Sequence, residues 1–199
     1  MVRPSTLLWL AAAVAGLYAL TGVFEFTHDQ PTVFADPIDY WIEGVFSAAL
    51  ALSIVVLTSL ARAGASGRAG AVGWTLAAGG HAALLVAALA TAIDGREALD
   101  AFFLLGFLAI VAGYVTLAVL DLRNRLLPSR AGLVLMIGFV GAVIVSGVAG
   151  ALLDSGGDGG TGGGLALAAS WAALARLISE SAEPSRLRRP SPGPAENAS

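Results

Sequence analysis

The chain has no cysteine and no lysine, and only 13% of its 199 residues are charged. Without cysteine there can be no disulfide, thiol nucleophile, zinc–thiolate site, iron–sulfur cluster or palmitoylation. Without lysine there can be no Schiff base, which removes retinal and pyridoxal-phosphate chemistry, and no Walker A loop. All 11 basic residues are arginine against 14 acids, a formal net charge of −3, so the chain is no basic nucleic-acid binder. Soluble domains carry about 25% charged residues, roughly twice the share found here. A water-soluble monomer with this composition could not cover its surface with polar side chains. What the chain has instead is apolar sequence: 57% hydrophobic residues and a mean hydropathy of +0.81. These values point to an integral membrane protein.

A hydrocarbon core of about 30 Å needs about 20 apolar residues in a helix rising 1.5 Å per residue. Six stretches approach that length, at residues 5–24, 41–60, 71–93, 99–120, 131–153 and 163–178. The sixth is short and carries Arg176, close enough to its end for the guanidinium to reach the headgroups. The expected fold is therefore all-α: a polytopic membrane protein built as a bundle of six transmembrane helices. The spans fill residues 1–178, and residues 179–199, proline-rich and poor in apolar side chains, read as a disordered cytoplasmic tail. The first run also has the outline of a signal peptide, but it ends Tyr18-Ala-Leu-Thr-Gly-Val-Phe24 without a small-x-small cleavage site, so an uncleaved span is expected.

Charge placement sets the orientation. With both termini cytoplasmic, the inner segments hold ten arginines against Asp121, Glu180, Glu183 and Glu196, a net +6. The outer segments hold ten acids against Arg96 alone, a net −9. Five or seven crossings would place an arginine-rich segment outside, against the positive-inside rule. The arginine-only basic set, with abundant Ala, Gly, Leu and Val, resembles the residue usage of high-GC bacteria, and the plan is similar to that of their small multi-pass proteins. That resemblance implies a bacterial cytoplasmic (inner) membrane and a lipid bilayer as the partner; it transfers no function.

The connections are too short for a soluble catalytic domain. Gly157-Asp-Gly-Gly-Thr-Gly162 matches the dinucleotide fingerprint in letters only, because it follows an apolar helix rather than a strand. No H-E-x-x-H and no G-x-S-x-G occurs, so enzymatic activity is not expected.

Two constellations could carry chemistry. His81 sits about ten residues, roughly 15 Å, into the third span and so near the bilayer midplane, where a titratable group is a functional candidate. Tyr18, Ser47 and Ser170 fall at similar depth and are its expected partners. Three readings stay open: a neutral imidazole gluing helices, a proton- or ion-handling group, or a haem ligand, the last needing a second strong ligand. The second constellation is an acidic outer mouth of Glu25, His28, Asp29, Asp36, Asp39, Glu43 and Asp100. It reads as a topology-setting surface, a cation-attracting vestibule or a weak divalent-cation site. Gly138, Ala142, Ser146 and Gly150 recur every four residues, a smooth stripe for helix packing or a homodimer, and Gly106, Ala109 and Gly113 make a second small-residue patch. The expected role is an accessory or transport-related membrane component. The alternatives are a proton- or cation-coupled permease using His81 and the acidic mouth, or a haem-binding redox enzyme.

Overall fold

The computed structural model describes residues 4–25, 37–63, 67–94, 100–124, 130–153 and 162–182. They form six helices: α1 (Pro4–Glu25), α2 (Pro37–Ala63), α3 (Gly67–Asp94), α4 (Asp100–Leu122), α5 (Ala131–Leu153) and α6 (Gly163–Ala182). Proline explains much of this punctuation. Pro4 and Pro37 open α1 and α2, where a missing N–H costs nothing, and Pro31 and Pro128 fall between helices. No proline interrupts a helix interior.

Among the described residues, four helices are long and apolar enough to cross a membrane: Tyr40–Arg62, Gly67–Ile93, Ala101–Leu122 and Ala131–Val148. In α1 the described apolar stretch is shorter, Ser5–Thr21. The last two turns of α6 bear Arg176 and Glu180, which shortens its apolar run. The outward faces are apolar as well. Phe102, Phe103, Leu104 and Leu105, four successive positions covering a full turn, are all exposed, and Ile137 is 70% exposed. Exposed apolar surface this continuous needs an apolar solvent or partner.

Among the described residues each helix packs on its two sequence neighbours, and α6 returns to α1, so the contacts close a ring. The core contains Leu8, Leu57, Leu60, Trp74, Ile110, Tyr114, Leu117 and Leu174. The tightest seam joins α3 to α4 in antiparallel register: Gly73 faces Leu117, Ala77 faces Gly113, and Gly80 and Leu84 face Gly106. A Cβ on Gly113 would stand 2.5 Å from the Ala77 nitrogen, and one on Gly80 would stand 2.6 Å from the Gly106 carbonyl oxygen. Only hydrogen fits there. In lipid, where no hydrophobic force drives helices together, this close backbone approach supplies the packing.

Asp121, at the end of α4, ties the next helix into place. Its Oδ1 accepts the Arg130 N–H at 3.0 Å and its Oδ2 accepts the Leu133 N–H at 2.9 Å. It thereby caps the otherwise unpaired first amides of α5 across the intervening connection. Arg130 itself has φ 68°, a left-handed conformation unfavourable for a large side chain. The bond from its amide to Asp121 helps to hold that conformation.

Candidate functional site

His81 is buried on α3. Its Nδ1 lies 2.8 Å from the Ala77 carbonyl oxygen, one turn earlier. A carbonyl only accepts, so Nδ1 carries the proton and donates. In the neutral imidazole this leaves Nε2 with a free lone pair, the atom able to take a proton or bind a metal. The ring neighbour is Tyr114 on α4, with centroids 6.1 Å apart. Tyr114 in turn meets Phe139 of α5 edge-on at 5.7 Å, and Phe139 meets Phe107 at 5.3 Å. An aromatic chain therefore runs from the imidazole across α4 to α5. Edge-to-face contacts of this kind fix ring orientation as well as burying area.

Two of the residues expected beside His81 make contacts on other helices. Ser170 on α6 donates its hydroxyl to the Val134 carbonyl of α5 at 2.9 Å and packs against Gly138. Tyr18 stacks on Phe46 with centroids 5.1 Å apart, joining α1 to α2. Ser47 is buried, and its Oγ has no hydrogen-bond partner among the described residues. Tyr114 was not singled out from the sequence. One feature of the sequence could have found it: Tyr114 follows Gly113, so the close approach of that glycine to α3 brings the tyrosine in with it.

Of the acidic mouth, Glu43 is half-buried in α2, one turn from Ser47. Glu25, Asp39 and Asp100 fall within α1, α2 and α4, but their side chains are outside the described set. His28, Asp29 and Asp36 lie outside the described residues. Among the described residues no three His, Asp or Glu side chains converge as a metal ion would require. The α5 stripe meets α6: Gly163 lies against Ser146 and the Ala142 carbonyl, and Gly138 against Ser170. Gly150 falls in the last turn of α5, beyond the described contacts.

Several hydroxyls are engaged locally. Thr21, Ser53, Thr58, Thr116 and Ser179 each donate to a carbonyl three or four residues back on the same helix. This bonding satisfies a polar group inside an apolar helix without needing a partner. A second buried donor is left over: the Trp74 indole nitrogen, in a residue only 2% exposed, has no partner among the described residues. An unpaired buried donor costs about 1–3 kcal/mol.

Compared with family models, curated proteins and solved structures, the chain matches none. Its chemistry therefore rests on its own residues, in a helical protein with four helices apolar enough to cross a membrane.

Proposed function

We propose that the chain is a six-span protein of a bacterial cytoplasmic membrane, with both termini cytoplasmic, acting as a non-enzymatic accessory or transport-related component. One observation carries this reading: the buried polar groups are mostly spent on backbone carbonyls. The hydroxyl of Ser170 serves the Val134 carbonyl, and Nδ1 of His81 serves the Ala77 carbonyl. Groups used in this way hold helices and leave few donors or acceptors for a substrate. An accessory component works through other proteins, so mild-detergent purification of a tagged chain should recover a stoichiometric membrane partner. Recovery as a monodisperse species without one would overturn the accessory role.

A second reading is a proton- or cation-coupled permease centred on His81. It is supported by the free Nε2 lone pair beside Tyr114, in a segment at membrane depth. In proteoliposomes, His81→Gln would abolish proton-coupled flux while leaving the folded yield unchanged. Flux equal to that of the unaltered protein would remove His81 from any transport mechanism.

A further inference from the structure

Between α2 and α3 runs a lateral groove of about 620 Å³, within the roughly 300–1,000 Å³ range of sites that hold small molecules. Along α3 its lining extends from Gly67 to Ala82, about 22 Å of helix, comparable to one leaflet with its headgroup zone. Its walls are apolar or small, apart from the hydroxyl-bearing Thr58 and Thr75 and the indole of Trp74. The chemistry differs between its ends. At the α2–α3 connection the lining includes the exposed Arg62. No acid accompanies it on residues 54–82.

We infer that this groove is a site for a single anionic phospholipid, with its acyl chain along the apolar wall and its phosphate at Arg62. The inference rests on the membrane reading above and adds a selective ligand to it. Charge complementarity identifies the occupant. Arg62, with no acid near it in sequence, at the surface end of an apolar channel, matches an anionic headgroup and gains less from a zwitterionic one, whose choline offsets its phosphate. The geometry also allows a clean steric probe. A Cβ on Gly79, which lines the groove, meets nothing within 4 Å, and neither does one on Gly147 of α5, which is away from it.

The test is native mass spectrometry of the full chain in detergent, titrated with phosphatidylglycerol or phosphatidylcholine of the same acyl composition. One bound phosphatidylglycerol should be retained about fivefold more strongly than phosphatidylcholine, the factor one arginine contributes near an anionic surface. Arg62→Gln should erase that preference and Arg62→Lys should restore most of it. Gly79→Leu should reduce retention of both lipids, and Gly147→Leu should leave it unchanged. Equal retention of the two lipids, or an undiminished preference in Arg62→Gln, overturns the inference. So does a loss in Gly147→Leu as large as that in Gly79→Leu, which would indicate an unspecific lipid annulus. Recovery of the chain in the supernatant after alkaline washing of membranes would overturn the membrane reading as well. Retention in the pellet without lipid preference overturns only the site.

Discussion

Replacing Gly113 by alanine adds one methyl group where the seam between α3 and α4 has no space. The new Cβ would lie 2.5 Å from the Ala77 nitrogen, 2.8 Å from the Gly73 carbonyl oxygen and 3.0 Å from the Ala77 Cα. All three are backbone atoms, so no side chain can swing aside. Ordinary contact begins near 3.4 Å, so the helices must part locally by about 0.9 Å. A gap of 0.5–1 Å forfeits about a quarter to a half of each dispersion contact along the seam. Overpacking of this kind costs about 1–3 kcal/mol, and alanine's better helix propensity returns less than about 1 kcal/mol. The expected net loss is about 1–2 kcal/mol. Gly80→Ala meets the Gly106 carbonyl oxygen at 2.6 Å on the same seam, so the double variant should lose less than the sum, because the first separation already makes room for the second methyl. Gly147→Ala, with open space around it, should be neutral or slightly stabilising. The assay is reversible unfolding in mixed micelles followed by helicity. A Gly113→Ala curve superimposed on that of Gly147→Ala would refute the close-packed seam.

Two further outcomes follow from named contacts. Asp121→Ala strips two amides of their acceptor at the start of α5 and should cost about 1–3 kcal/mol, whereas Asp121→Asn, which keeps one acceptor oxygen, should cost less; equal melting of all three proteins would dismiss the cap. An ideal Cβ on Gly16 lies 3.9 Å from the Ala168 Cβ, inside the range of about 3.5–4.5 Å that a disulfide requires. Gly16→Cys with Ala168→Cys should therefore cross-link within one chain on mild oxidation, giving a mobility shift reversed by reductant, and the absence of that cross-link would open the α1–α6 closure.

The helices were legible in the sequence because their signals are local. Apolar runs are long, prolines stand only at their edges, and arginines gather at alternate connections. Pairing between helices was far less legible. On α4 apolar residues face every direction, so nothing in the periodicity distinguishes the face toward α3 from the face toward α5. Depth along a helix axis suggested Ser47 and Ser170 for His81, but depth carries no azimuth, and Ser170 turned out to face α5. The four-residue stripe of α5 marked a packing surface without naming α6 as its partner. In the sequence Asp121 is simply one more acid on an arginine-rich connection. Its capping role depends on a connection that returns α5 beside it, which no spacing rule specifies.

The proposed topology threads six helices through a bilayer and leaves both ends on one face. The lack of native cysteine makes its test direct, since a single introduced thiol is the only one to label. Cysteines at Ser66 and Ser129 on one side, and at Thr32 and Ser155 on the other, would be probed in intact cells with a membrane-impermeant maleimide. A six-span arrangement with cytoplasmic termini predicts labelling at Thr32 and Ser155 alone, with Ser66 and Ser129 reacting only after the membrane is opened. Labelling of Ser66 or Ser129 in sealed cells, or equal labelling at all four positions, would contradict it.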